Sequence, residues 1–166
     1  MKPGDHPDFF RLPPPPGRSR ESSIRLDGVG KFWHDGEPVA HPGMARAFAS
    51  WIARHPDDGR FILSNGYDWS YFSVDDVPFF VLTLQVAGED VSVLLSDGSE
   101  EPLAADTLQV GSQDALYVRV KGGSFEARFT PAAQAALAPL LVEGPNGEPV
   151  LEIAGKRYSI RERSLH

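Results

Sequence analysis

YFSVDDVPFFV, residues 71–81, reads as strand, acidic pair, proline, strand. Asp75 and Asp76 interrupt two strongly apolar runs. Pro78 lacks a backbone N–H and holds Val77 extended, so the chain turns here and cannot run on as helix. Two readings are open: a plain turn, or a seam where two halves of the molecule meet around a ligand.

Working downstream, FFVLTLQVAGEDVSVLLSDG (79–98) predicts two strands. Phe80, Leu82, Leu84 and Val86 alternate with Thr83 and Gln85, giving one buried and one polar face. EEPLAADTLQV (100–110) leads to ALYVRVKGGSFEARF (115–129), a hairpin turning at Gly122 and Gly123. A two-residue turn pairs Val120 with Phe125, Arg119 with Glu126, Val118 with Ala127, Tyr117 with Arg128 and Leu116 with Phe129. Apolar meets apolar and opposite charges meet, so the register is self-consistent. TPAAQAALAPLL (130–141) predicts a helix with Thr130 as N-cap, Pro131 at its first position and Pro139 ending or kinking it. EPVLEIAGKRYSI (148–160) closes with another hairpin.

Upstream, RFILSNGYDWSYFSV (60–74) carries Asn65 and Gly66, the strongest short hairpin signal in the chain. HPGMARAFASWIARHP (41–56) places Met44, Phe48, Trp51, Ile52 and His55 on one helical face, with Pro42 suited to the start and Pro56 to the stop. SIRLDGVGKFWHDGEPV (23–39) gives β runs at 24–26, 31–33 and 37–39 between Asp-Gly turns. Residues 1–20, including LPPPPGRSR (12–20), predict an extended polyproline arm, with Phe9 and Phe10 pinning it in part to the domain.

Displaced by 89 positions, the chain overlays itself. Pro42 falls on Pro131, Phe48 on Leu137, Trp51 on Leu140, Ile52 on Leu141, Phe61 on Val150 and Trp69 on Tyr158. The Asn65 turn falls on Ala154 and Gly155. The expected class is therefore α+β with antiparallel sheets. Internal duplication makes two small subdomains, each β-β-β-helix-β-β. The predicted division is an arm at 1–20, a first repeat at 21–78, connecting strands at 79–105 and a second repeat at 106–166. Asp75 and Asp76 close the first repeat, and clefts between domains are common ligand sites.

Three stretches carry a resemblance: GKFWHDGEPVAHPGMARAFASWI (30–52), SVDDVPFFV (73–81) and LYVRVKGGSFEARF (116–129). Together they resemble the bacterial family called domain of unknown function 1285, over about residues 24–142. The resemblance implies two related α+β subdomains, the second loosely similar to pleckstrin-homology barrels. It further implies a signalling role with a nucleotide-like ligand in the groove between the halves. It implies no catalytic residues.

Composition narrows the function. The chain has 166 residues, 41% hydrophobic and 10% aromatic, enough for a core without metal or disulfide. It has no cysteine, which removes thiol catalysis and zinc-thiolate sites and fits a reducing compartment. A net charge of −7 disfavours nucleic-acid polymers and anionic membranes as partners. The first ten residues lack the apolar core of a signal peptide, and no stretch approaches a membrane span, so a cytoplasmic location is expected.

No reaction motif stands out. His6, His34, His41, His55 and His166 match no metal-ligand spacing, although His34 lies near Asp35 and Glu37. GVG at 28–30 is a tight turn, and the nucleophile elbow of serine hydrolases is missing. Asp75 and Asp76 are read as turn or interface acids, with ligand contact and acid–base catalysis as the alternatives; adjacent strand residues point to opposite faces, which argues against a coupled dyad. Tyr117, Arg119, Lys121 and Arg128 put three cations and an aromatic on one hairpin face, the best anion-binding candidate in an acidic protein. Cross-strand pairing with Glu126 is the bland explanation of the same face. The expectation is a non-enzymatic module for a small anionic, nucleotide-like ligand, with no cofactor. The alternatives are a protein-interaction adaptor using residues 1–20, and a hydrolase using Asp75 or Asp76.

Overall fold

The computed structural model describes residues 2–164. They fall into two compact units, divided between Pro78 and Phe79. The structure is mixed α+β, with antiparallel-rich sheets and two α-helices among the described residues.

The first unit begins with β1 (Arg25–Leu26), β2 (Phe32–His34) and β3 (Glu37–Pro38). Asp35 and Gly36, at φ 53° and 79°, make the two-residue turn between β2 and β3. The expected Asp27 turn is wider: Leu26 pairs with Phe32, and the Asp27 carboxylate accepts from the Val29 and Lys31 N–H groups and from the Trp33 indole. Helix α1 (Pro42–Ser50) follows, capped by His41, whose Nδ1 accepts from the Gly43 and Met44 N–H groups. The chain then makes β4 (Ile52–Arg54), β5 (Phe61–Ser64), β6 (Trp69–Tyr71) and β7 (Ser73–Val74). Sheet order is β3-β2-β1-β7, with β7 parallel to β1, and separately β4-β5-β6.

The predicted helix through His55 is corrected. Ile52 pairs with Leu63 and Ala53 with Ile62, so apolar positions that fit a helical period serve a strand instead. The sheet bonds available to β-branched Ile52, and burial of its side chain, outweigh one more helical turn. The Asn65 hairpin is real but has a four-residue loop, because Ser64 pairs with Trp69. Asn65 Oδ1 closes it by accepting from the Tyr67 and Asp68 N–H groups.

The arm is folded as well as extended. Short 3-10 turns cover Pro3–Asp5 and Phe9–Arg11. Phe9 is buried with Ile62 and Trp69, and Phe10, Ala53 and Tyr71 pack around them. His55 Nε2 lies 2.9 Å from the Phe10 carbonyl, and the Gly4 N–H donates to the Gly66 carbonyl at 2.8 Å.

The second unit is built on a seven-stranded sheet. Its members are β8 (Phe79–Ala87), β9 (Asp90–Leu95), β10 (Glu100–Pro102), β11 (Gln109–Val110), β12 (Leu116–Val120) and β13 (Phe125–Phe129), with a short last strand after the second helix. Helix α2 (Pro131–Leu137) follows β13. The Thr130 hydroxyl accepts from the Ala133 N–H and donates to the Val81 carbonyl, and a 3-10 turn at Ala138–Leu140, with Pro139 at its centre, ends the helical run. Then come β14 (Leu141–Glu143), β15 (Pro149–Ile153), β16 (Lys156–Ser159) and β17 (Arg161–Glu162). Sheet order is β10-β9-β8-β13-β12-β11-β17, and β14-β15-β16 is a separate meander. The β12–β13 register is the one predicted, from Tyr117 opposite Arg128 to Val120 opposite Phe125. Val118, Val120, Ala127 and Phe129 form the buried face.

Val77, Phe79, Phe80 and Val81 are all buried, and the Phe79 ring meets Phe125 at 5.3 Å. Among the described residues, no helix is long and apolar enough to cross a membrane.

Candidate functional site

The face of the large sheet opposite its core collects charge from three strands. On β12 and β13 it carries Tyr117, Arg119, Glu126 and Arg128, in the predicted register. β11 sets Gln109 opposite Tyr117, and β17, parallel to β11, sets Arg161 opposite Gln109. Arg163 follows two residues on. Its Nη2 donates to Glu126 Oε1 at 3.1 Å, and its guanidinium lies 4.0 Å from the Tyr117 ring centroid. The Arg128 guanidinium lies 5.7 Å from the same ring.

A cleft of about 220 Å³ opens on this face, lined by Asp106, Thr107, Gln109, Arg119, Glu126 and Arg161 among others. Thr107 braces it, since its Oγ1 accepts from the Arg119 N–H at 2.9 Å and donates to the Ala104 carbonyl at 2.7 Å. Two guanidiniums and two carboxylates therefore meet around one small cavity. Such a set can hold a carboxylate or phosphate on the arginines and a hydroxyl or amine on the acids.

Some sequence-predicted residues take other roles. Tyr117 is only 6% exposed, and a Cβ placed on Gly111 would lie 2.8 Å from its ring. Wedged between that backbone and Arg163, the ring has no open face for a ligand, so Tyr117 leaves the expected anion-binding group. Lys121 leaves the group too. Its Nζ donates to Asp97 at 2.7 Å and to the Ser99 hydroxyl at 2.8 Å, while its backbone N–H donates to Glu101. Burial pushes the Asp97 carboxyl up, but the bonds from Lys121 and Ser99 together hold it below the usual carboxylate range. Lys121 thus clamps the turn that joins β9 to β10.

Asp75 and Asp76 belong to the first unit. Asp75 Oδ2 accepts from Arg25 Nη1 at 2.5 Å, and the Asp75 N–H donates to the Leu26 carbonyl. The Arg25 guanidinium lies 5.4 Å from the Trp33 ring. Asp75 therefore ties the chain after β7 to β1; Asp76 is half-buried.

His34 and Asp35 approach to 3.6 Å on an exposed turn, but no group of three metal-ligating residues occurs among the described residues. His166 lies outside them. Sequence reading passed over Arg161 and Arg163. The signal was the alternation in RER (161–163), which puts both arginines on one side of a strand.

No protein-family profile and no curated protein matches the chain. Solved structures do. A DUF1285 family protein from Silicibacter pomeroyi DSS-3 superposes with a TM-score of 0.69 at 22% identity, covering 97% of this chain and 90% of that one. A DUF1285 family protein from Shewanella baltica OS155 superposes with a TM-score of 0.54 at 18% identity, covering 69% of this chain and 88% of that one. The fold of this chain is thus the fold of DUF1285 family proteins, as the three sequence stretches implied.

Proposed function

We propose that this protein is a non-enzymatic binding module for a small anionic ligand, held in the cleft on the second unit's large sheet. The observation that carries this reading is the convergence of Arg119 and Arg161, from strands far apart in sequence, on one cleft. In a chain of net charge −7, paired guanidiniums make a local attraction for anions against an acidic background. The cleft is smaller than the roughly 300–1,000 Å³ typical of drug-sized ligand sites. A compact phosphate- or carboxylate-bearing metabolite suits it better than a dinucleotide. Asp106 and Glu126 would face hydroxyl or amine groups on that ligand. Binding without turnover suits a signalling role, which the sequence resemblance also implies.

Thermal-shift and calorimetric titration with sugar phosphates, nucleoside monophosphates and dicarboxylates tests it. At least one class should raise Tm at millimolar concentration, and Arg119→Ala or Arg161→Ala should abolish the rise. Lys121→Ala is the control: it should lower the starting Tm and keep the ligand-dependent rise. No shift with any class, or a shift indifferent to both arginine substitutions, defeats the reading.

A further inference from the structure

Phe9 and Phe10 pack against the β4-β5-β6 sheet, and Arg20 is locked to it. Arg20 donates to Asp68 Oδ1 at 2.6 Å and to the Trp69 carbonyl at 2.8 Å, and the Tyr71 N–H donates to the Arg20 carbonyl at 2.7 Å. Arg11 adds a two-pronged pair with Asp57. Between these anchors runs LPPPPGR, residues 12–18.

Its shape follows from proline chemistry. Leu12, Pro13, Pro14 and Pro15 each precede a proline, which disfavours helical backbone and biases the run towards polyproline II. Leu12 has φ −71° and ψ 143°, as required. Pro16 precedes Gly17 instead, so the chain is released to turn. Gly17 sits at φ 78°, and the Arg18 N–H donates to the Pro15 carbonyl at 3.0 Å. Arg20 Nη2 reaches back to the Leu12 and Pro13 carbonyls at 3.2 Å each and fixes the inner side of the ridge. The outer side faces water. Leu12 is 52% exposed, and Pro13, Pro15, Pro16 and Arg18 are exposed. Apolar groups are thus held out on a stiff backbone tied at both ends, although their neighbours Phe9 and Phe10 are folded away.

We infer that residues 12–16 are a preformed polyproline ridge that docks into an aromatic-lined groove of a partner protein, with an acidic group beside that groove receiving Arg18. Grooves of this type read alternate prolines of a polyproline II segment. A free peptide must be ordered to enter one, whereas this ridge is ordered beforehand, which removes part of the cost of binding. This inference is independent of the anion cleft, which lies in the other unit.

The probes are purified SH3, WW and EVH1 domains, titrated with the full chain and, separately, with a peptide of residues 11–19. At least one domain should bind the full chain, several-fold more tightly than the peptide because ordering is already met. Pro13→Ala combined with Pro15→Ala should weaken that binding by about ten-fold or more, by loss of the stiff backbone and its ring contacts, with Tm unchanged. Phe10→Ala, which loosens one anchor, should bring the affinity down towards that of the peptide. Three results overturn the inference: no domain binds the full chain; the peptide binds better than the chain, so that docking hides the prolines; or binding survives the double proline substitution.

Discussion

Each unit contains a proline-initiated helix followed by a three-stranded antiparallel meander. Pro42 opens α1 and Pro131 opens α2, 89 residues on; β4 (Ile52–Arg54) and β14 (Leu141–Glu143) stand at the same interval. Ile62 and Leu151, both fully buried, correspond, as do Trp69 and Tyr158. The two meanders then diverge. Ile52 pairs with Leu63, but Leu141 pairs with Leu151, a register one residue different. The first meander turns through four residues after Ser64, the second through Ala154 and Gly155 alone.

The deeper difference is what covers the apolar face. In the first unit the arm does so, through Phe9 and Phe10. In the second, the 3-10 turn Ala105–Thr107 of the unit's own earlier chain packs against β16, beside a cleft of about 450 Å³ that Ile153 and Tyr158 share with Val91 and Leu103. The same helix–meander frame therefore needs an added cover, since its strands present apolar side chains to both sides. Which segment supplies the cover differs between the units.

Substitutions at matched positions can break this comparison. Ile62→Ala and Leu151→Ala should each cost about 2–5 kcal/mol, as for emptying a fully buried aliphatic site. Phe9→Ala should approach the loss at Ile62 if the arm is part of the first core. An unchanged urea midpoint for Phe9→Ala, with only the arm's amides losing exchange protection, would show instead that the arm opens on its own.

The Lys121–Asp97 clamp sharpens the contrast, because it belongs to the large sheet. Removing its ammonium with Lys121→Ala should cost about 1–3 kcal/mol, by leaving a largely buried carboxylate with fewer donors. The folded Asp97 carboxyl lies below its ordinary 3.8, so its contribution is present above that pH and lost as pH falls through the lower folded value. Acid titration of Tm should therefore show a smaller loss below pH 3.8 in Lys121→Ala than in the parent chain. Equal acid losses would mean that Lys121 does not stabilise the charged form.

The smallest effect separates the two helix caps. Thr130→Ala should cost about 1 kcal/mol, the usual value for a lost hydroxyl cap. It also removes the bond to the Val81 carbonyl. His41→Ala removes a cap from an exposed helix start and should cost less. A larger loss at His41 would reverse the assignment of the better-built helix start to the second unit.

Local chemistry determined much of this molecule from the sequence alone. The α+β class, both helix starts and the β12–β13 register were legible. Proline and a capping side chain fix the helix starts, and opposed charges at Arg119 and Glu126 fix the register within a few residues of the turn. The face carrying Arg119 was legible for the same reason. Tertiary structure decided the rest. Residues 52–54 suit a helix and a strand equally in their apolar spacing, and only pairing with β5 makes them a strand. β17 lies parallel to β11 with no local turn to announce it, so Arg161 could not be assigned to the cleft from spacing. Lys121 and Tyr117 left the predicted site because Asp97 and Gly111, distant in sequence or hidden in backbone shape, set where their side chains go. Short-range rules act through neighbouring dihedrals and cross-turn pairs; a site assembled from several strands depends on contacts that exist only once the sheet has formed.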